Sequence, residues 1–217
     1  MLFRGVRHGF DVTACGQTVP ERTVGVLQAD LSGCSDTCVT LEDHASLQLN
    51  GHTVTGGTFA VHCLENCSVT GPGALSQNTY GIFGDYTKIN NIRVDNVQFD
   101  EDTAAMVGHY GRFVLTNVVA THSGVGAGPE NAKLTAAIAG RRVVGTNVHV
   151  TDSLGYGIVT GISLLKLTDS VVTGNNGGGV GIDIESQHLP RLFNTVCGRS
   201  LNGGTRPGPF KVCANDP

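Results

Sequence analysis

The chain has 217 residues and a formal net charge of −4, and its Lys and Arg residues are not clustered along the sequence. This balance argues against nucleic acid as a partner. No run approaches the roughly 18 apolar residues that a membrane span requires. Glycine is abundant, with 31 residues, and tryptophan is absent. The length allows one domain or a small pair.

Seven cysteines indicate disulfides and an oxidising compartment. They are Cys15, Cys34, Cys38, Cys63, Cys67, Cys197 and Cys213. The odd count leaves at least one thiol free or paired with another molecule. Two Cys-x-x-x-Cys pairs, Cys34/Cys38 and Cys63/Cys67, also have spacing compatible with a four-thiolate zinc site. We favour disulfides, and we expect no metal.

The chain begins without a clear period, and a repeated pattern appears only from about residue 39. Residues 1–22 lack a clear period and are interpreted as an N-terminal cap, which a solenoid needs to shield its first coil. Thr23 to Leu31 alternates like a strand. Two further alternating runs, Leu47-Gln-Leu49 and Thr53-Val-Thr55, flank a polar corner at Asn50-Gly51. A hairpin is one interpretation of this pair, but the downstream sequence favours another.

A polar corner residue followed by alternating apolar positions recurs along the chain. Subtracting neighbouring positions gives spacings of 25, 26, 30, 22 and 25 residues, which is typical of one solenoid coil. We expect these corner residues to form one structural ladder, in which stacked side-chain amides hydrogen-bond to one another. They are Asn66, Asn91, Asn117, Asn147, Asp169 and Asn194.

The positions after each corner predict an interior. Those one and three residues after each corner are mostly small or β-branched, as stacked inward-facing positions should be. A second strand recurs from Gly81-Ile82 to Gly181-Ile182, and a third just before the corners, as in Phe113-Val-Leu-Thr and Leu165-Lys-Leu-Thr. His52 is expected to face inward as a buried, satisfied histidine. Gly124 to Asn131 is interpreted as a loop extruded from one corner.

These patterns predict an all-β fold, a parallel β-helix of about seven coils with three short strands per coil and irregular terminal caps. An antiparallel sandwich also has many short strands, but it does not predict the same polar residue at each corner. The domain assignment is a single domain, with the cap at 1–22, coils at 23–197 and a C-terminal cap at 198–217. A Cys197–Cys213 bridge would tie this last cap.

Three segments resemble the opening of secreted right-handed parallel β-helix proteins of the pectate-lyase-like superfamily. They are Cys15-Gly-Gln-Thr-Val, Leu27-Gln-Ala-Asp-Leu31 with Cys34, and Leu47-Gln-Leu-Asn-Gly-His-Thr-Val54. The resemblance implies a right-handed coil and a Cys15–Cys34 bridge. It implies no single activity, because the superfamily includes lyases, hydrolases, epimerases and adhesins.

A candidate catalytic patch lies five or six residues before three of the corners. Because stacked coils are about 4.8 Å apart, residues from successive coils would share a sugar-sized area. An Arg would neutralise a uronate carboxylate, and a Tyr or His could then remove the C5 proton or protonate the leaving oxygen. The catalytic candidates are Tyr86, His109, Tyr110, Arg112 and Arg142, and Asp85 and Arg141 are substrate-binding candidates beside them.

Carboxylate clusters offer weaker alternatives. Asp183 and Glu185 alternate along one predicted strand and are expected to share a face, as hydrolysis by two carboxylates would require. They are retained as substrate-binding candidates. The acidic run from Asp100 through Glu101 to Asp102 could hold Ca²⁺. No other cofactor is predicted.

The sequence thus predicts a secreted or cell-surface β-helix that binds or processes extracellular, acidic polysaccharide, with uronate lyase-type β-elimination as the candidate reaction. Met1 to Gly16 lacks the apolar core of a signal peptide, so either export is absent or the signal is missing from this chain. A non-catalytic structural or adhesive module is the alternative function. Ice binding through Thr-x-Thr ladders is a remote one, since Thr53-Val-Thr55 occurs once.

Overall fold

A computed structural model describes residues 9–85, 87, 90–124, 136–161, 163–175, 181–204 and 208–216. Every regular element in this described part is a strand, and the strands pair in parallel into a solenoid. The strands are β1 (Phe10–Val12), β2 (Gln17–Val19), β3 (Val24–Leu27), β4 (Leu31–Ser32), β5 (Thr37–Leu41), β6 (Ser46–Gln48), β7 (Thr53–Thr55), β8 (Phe59–Cys63), β9 (Ser68–Thr70), β10 (Ala74–Ser76), β11 (Tyr80–Gly84), β12 (Asn91–Asp95), β13 (Gln98–Asp100), β14 (Ala104–Thr121), β15 (Ala136–Thr151), β16 (Tyr156–Thr160), β17 (Leu165–Thr168), β18 (Val171–Thr173), β19 (Ile184–Ser186), β20 (Arg191–Phe193), β21 (Val196–Cys197) and β22 (Ser200–Asn202).

The strands form three faces, and each coil contributes one strand to each face in the order A, B, C. Face A contains β2, β5, β8, β11, the start of β14, the start of β15, β16, β19 and β22. Face B contains β1, β3, β6, β9, β12, the middle of β14, the middle of β15, β17 and β20. Face C contains β4, β7, β10, β13, the end of β14, the end of β15, β18 and β21. The predicted parallel β-helix with three strands per coil is confirmed.

The chain turns between faces at residues with left-handed backbone angles. Asn dominates among the non-glycine residues at these corners, because its short polar side chain tolerates positive φ better than most. Asn66 (φ 51°) turns from face A to face B, Asn117 (φ 51°) from B to C, and Gln77 (φ 56°) from C to A. The polar corners in the sequence are therefore a requirement of the backbone at each bend.

The predicted asparagine ladder is two ladders on different edges. Nδ2 of Asn91 donates to Oδ1 of Asn66 at 2.7 Å along the A–B edge. Nδ2 of Asn147 donates to Oδ1 of Asn117 at 2.9 Å along the B–C edge. The residue one coil before Asn117 is Asn96, whose N–H donates to the backbone of the coil above. The single-ladder prediction is wrong because two edges of each coil carry the same local pattern.

The interior is one continuous apolar column. Aliphatic side chains from all three faces fill it, with Phe99 and Phe113 among the largest that are fully buried. The predicted inward columns are buried from Cys67 to Ser170 and from Val69 to Cys197, although they come from two faces. Such small and β-branched side chains stack at the spacing of neighbouring coils.

Two local predictions are corrected. The second-strand pattern slips by two residues in the last coil, because Ile158 pairs with Ile184 and not with Ile182. His52 is not interior, since its side chain is 30% exposed and its Nδ1 lies 3.2 Å from Oδ1 of Asp30. It is a satisfied histidine at a corner.

The coils extend beyond the predicted boundaries at both ends. β1 and β2 lie within the predicted N-terminal cap but already pair with β3 and β5. At the other end, β22 pairs with β19 beyond residue 197. Cys197 and Cys213 form a disulfide that ties the last described segment to face C, as predicted. The predicted extruded loop lies outside the described residues except for Gly124.

Candidate functional site

The outer surface of face B carries one cation on each of five successive coils. We call this set the basic strip, and its members are Arg93, Arg112, Arg142, Lys166 and Arg191. The described part of the chain holds nine Lys and Arg residues, so more than half of them lie on this one face. The nine are Arg22, Arg93, Arg112, Arg141, Arg142, Lys166, Arg191, Arg199 and Lys211.

Strand register places these cations in two adjacent outward columns. Arg112 pairs with Arg142 in one column. Lys166 pairs with Arg191 in the next, and Arg93 begins that column three coils before Lys166. At about 4.8 Å per coil, the five residues cover roughly 19 Å along the solenoid axis. Cations that are distant in the sequence therefore form one linear array.

The basic strip is open to solvent and is not neutralised by carboxylates in the described structure. Arg93, Arg112, Arg142 and Arg191 are exposed, and no ion pair is recorded for them among the described residues. Nζ of Lys166 lies 5.6 Å from the centroid of the Phe193 ring, a cation–π distance. Exposed cations on successive coils raise the local electrostatic potential, and Asp95, two residues from Arg93 on the same side of β12, opposes this at one end.

The structure describes the predicted catalytic patch only in part. Arg112 and Arg142 are adjacent, as the sequence predicted, and both belong to the basic strip. Arg141 is half-buried beside Arg142, and Tyr110 is 41% exposed in the irregular part of β14. Tyr86 lies outside the described residues. Only the backbone of His109 is described, within β14.

Asp85 follows directly after β11, and its side chain is hydrogen-bonded to a residue nearby in the sequence. Its Oδ1 accepts hydrogen bonds from the backbone N–H and the hydroxyl of Thr87, both at 2.8 Å. Burial lowers the pKa of His62 on face A, and the negative charge of Asp85 opposes this shift. This placement associates Asp85 with the A–B edge, beside the predicted patch, and its role in substrate binding stays a prediction.

Asp183 and Glu185 do not share a face, contrary to expectation. Asp183 is buried, and its Oδ1 accepts hydrogen bonds from the N–H and the Nδ2 of Asn175 at 3.0 and 2.9 Å. Its Oδ2 accepts from the N–H of Arg199 at 2.8 Å. Glu185 is partly exposed and pairs with Val159 in the outer column of face A. Asp183 lies before Ile184, the first residue of β19, so strand alternation does not extend to it.

The acidic run proposed for Ca²⁺ does not converge on one point. Oδ1 of Asp100 accepts a hydrogen bond from Thr121 at 2.8 Å and lies 2.8 Å from Nδ1 of His122, and the His122 contact lowers the pKa of Asp100. Asp102 instead turns into the core and is 2% exposed. Glu101 lies at an exposed corner between them.

A stack of aromatic side chains on the outside of face A escaped the sequence analysis. Phe59 and Tyr80 stack with ring centroids 5.5 Å apart and planes 15° apart, and Phe83 packs against both. The ring of His62 joins the stack beside Phe59. Partial burial lowers the pKa of His62, against the opposing charges of Asp85 and Asp36. Only coil register reveals this stack, since its members are about 20 residues apart.

Hydroxyl groups occupy most of one column on face C, which Asp100 interrupts between Ser76 and Thr121. Thr55 aligns with Ser76, and Thr121 with Thr151 and Thr173. The neighbouring column is mixed, because Thr53 aligns with Ala74 rather than with another threonine. Gln98, Val119 and His149 continue that column, so the Thr-x-Thr repeat expected of an ice-binding face is broken.

Three cysteines gather at the first corner of face A. The Sγ atoms of Cys15, Cys34 and Cys38 all lie within 4.8 Å of one another, and Cys34 is within bonding reach of both others. Cys63 and Cys67 form their own disulfide. The four cysteines of the zinc alternative are therefore divided between two places in the described structure.

Comparisons with known proteins give little further information. No model of a known protein family matches the chain, and no curated protein sequence is detectably similar to it. Among solved structures, the enzymatically active domain of bacteriophage CBA120 tailspike protein 2 aligns with 12% sequence identity and a TM-score of 0.44. The alignment covers 90% of this chain and 39% of that one, so this chain spans well under half of its length. The fold assignment rests on the strand pairing alone.

Proposed function

We propose that this is a secreted or cell-surface β-helix protein that binds extracellular acidic polysaccharide along the basic strip. The observation that carries the proposal is the array of five cations on successive coils, with no carboxylate partner among the described residues. A linear polyanion laid parallel to the solenoid axis meets one cation per coil. The predicted oxidising compartment supports an extracellular partner, because two cysteine pairs form disulfides.

The exposure of the basic strip favours binding over enclosure of a substrate. Individual exposed ion pairs contribute only about 0.2–1 kcal/mol, so affinity comes from several contacts along one chain. This suits the adhesive or structural module that the sequence offered as an alternative to an enzyme. No described helix is long and apolar enough to cross a membrane.

Uronate lyase chemistry is the second candidate function. Arg112 and Arg142 lie on adjacent coils next to Tyr110, which is exposed. The guanidinium groups would neutralise the uronate carboxylate and acidify the C5 proton, and Tyr110 or His109 would accept that proton. Elimination would then break the bond between C4 and its leaving oxygen, which takes a proton from the other of these two residues or from water, and would leave a C4–C5 double bond that absorbs in the ultraviolet.

The test is a titration of the protein with polygalacturonate, alginate and hyaluronan, with neutral dextran and duplex DNA as comparison ligands. We expect at least one polyuronate to bind, dextran not to bind at the strip, and Arg112→Gln/Arg142→Gln to weaken binding roughly 5- to 20-fold. Arg22→Gln/Lys211→Gln is the matched control, because it removes the same charge at positions outside the five coils of the strip.

Equal weakening by the two double variants would mean that only net charge matters and would refute a site on face B. Preference for DNA over every polyuronate would also contradict the proposal. The same mixtures, followed by ultraviolet absorbance, decide the lyase candidate. Polyuronate binding without any unsaturated product leaves the binding function and removes the enzymatic one.

A further inference from the structure

A polar groove runs along the edge where face C turns into face A. Its volume is about 440 Å³, a size that falls within the range of small-ligand sites. Side chains and backbone from four successive coils line it, so it follows the solenoid axis. The lining residues are Ser35, Gly56, Gly57, Thr58, Gln77, Asn78, Thr79, Glu101 and Thr103.

Three threonines of the groove form a column. Thr58, Thr79 and Thr103 each precede the first residue of a face A strand, and those first residues are register partners. The threonines therefore repeat at about 4.8 Å. Each hydroxyl can donate one hydrogen bond and accept two. All three residues are at least partly exposed, so these groups are available to a ligand.

An amide–carboxylate pair lies beside this column. Nε2 of Gln77 donates to Oε2 of Glu101 at 2.8 Å, and both residues are exposed. Both have left-handed φ of 56°, so the corners fix their backbones. The pair leaves the second N–H and the carbonyl oxygen of Gln77, and the other oxygen of Glu101, for further hydrogen bonds.

The aromatic stack of face A begins at the edge of the groove. Phe59 follows Thr58 directly, and Tyr80 follows Thr79. Both rings are only half-buried. An aromatic face is electronegative and attracts weakly positive C–H groups, whereas the groove offers donors and acceptors for hydroxyls. A sugar ring presents this combination, with C–H groups on its faces and hydroxyls around its rim.

The charge of the groove selects among sugars. Glu101 is an acid and no Lys or Arg lines the groove among the residues that the structure describes, so a carboxylate or sulfate on the ligand would be repelled. We propose that the groove binds a neutral sugar residue of a glycan, held by Thr58, Thr79 and Gln77 and packed against the ring of Tyr80. This site lies on a different edge from the basic strip and does not depend on the proposed function.

The experiment is a binding assay against an array of neutral oligosaccharides built from glucose, galactose, mannose and N-acetylglucosamine. Any ligand found is then titrated against the wild type and against Thr79→Val and Gln77→Gly. Thr79→Val removes one hydroxyl with little change in shape, and Gln77→Gly removes the amide at a corner where glycine is well tolerated. We expect each to weaken binding about 3- to 10-fold, the value of one hydrogen bond.

Thr173→Val on face C is the matched control and should bind as the wild type does. Because the chain lacks tryptophan and has four tyrosines, its fluorescence comes mainly from tyrosine and should change when a ligand reaches Tyr80. The affinity should be insensitive to salt and unaffected by Arg112→Gln/Arg142→Gln, which separates this site from the basic strip. The proposal is overturned if no neutral oligosaccharide binds, or if Thr79→Val and Gln77→Gly bind it as tightly as Thr173→Val does.

Discussion

Asn78 donates two hydrogen bonds to one oxygen of Asp102. Its backbone N–H lies 2.8 Å and its Nδ2 3.2 Å from Oδ1 of Asp102, whereas Oδ2 is buried without a recorded partner in the described structure. Burial raises the pKa of Asp102 to about 8, although the Asn78 hydrogen bonds act in the opposite direction. The corner that lines the groove thus holds a carboxyl group that is mostly protonated at neutral pH.

Asp102 makes the stability of the fold depend on pH. The raised pKa means that the folded state holds its proton more tightly than the unfolded chain, whose pKa is near 3.8. The resulting stability is complete below pH 4 and decreases as the pH rises towards 8. Asp102→Asn keeps an oxygen for Asn78 and cannot ionise. We expect it to match the wild type at pH 4 and to have a higher Tm at pH 8, measured by thermal unfolding across this range.

Asp183→Asn should have the opposite effect. Both oxygens of Asp183 accept hydrogen bonds, one from Asn175 and the other from the N–H of Arg199. An amide would direct an N–H₂ group at one of these donors and leave it buried and unsatisfied, which costs about 1–3 kcal/mol. Denaturant unfolding at pH 7 should show this loss. Glu185→Gln, on the partly exposed neighbour, should cost less, and a loss of equal size there would contradict the assignment.

The sequence predicted the coil but not the identity of its corners. Asn66 and Asn117 look alike in the sequence because each bend needs a left-handed residue followed by alternating inward side chains. Nothing local distinguishes the A–B bend from the B–C bend, so a ladder drawn through Asn91 and Asn117 changes edges. The 26 residues between Asn91 and Asn117 look like one coil. They comprise one full coil, from Asn91 to Arg112, and the face B segment that leads on to the B–C bend.

The same difficulty affected the candidate sites. Arg112 and Arg142 were placed correctly because both precede a corner asparagine by five residues. Arg93, Lys166 and Arg191 lie on the same face, but only the strand register shows this. The stack of Phe59 on Tyr80 was missed for the same reason. The prediction for Asp183 is wrong because this residue lies before the first residue of β19, where strand alternation does not apply.

The cysteine cluster predicts one thiol per chain. A sulfur forms a single disulfide, so Cys34 can pair with Cys15 or with Cys38, and the third cysteine is left over. Alkylation of the unfolded, unreduced protein followed by peptide mass spectrometry should find one label, shared between Cys15 and Cys38. A fully reduced sample, labelled at all seven cysteines, is the control. Labels on Cys63 or Cys213 in the unreduced sample would contradict the pairing.

The salt dependence of polyuronate binding tests most directly whether the basic strip binds acidic polysaccharide. Affinity that comes from cations displacing counterions falls with salt, and the slope of log K against log salt reflects the number of contacts. We predict a steep negative slope for the wild type. Arg112→Gln/Arg142→Gln should make it shallower by up to about one per lost cation, and Arg22→Gln/Lys211→Gln should leave it unchanged. Identical slopes for all three proteins would contradict a binding site on face B.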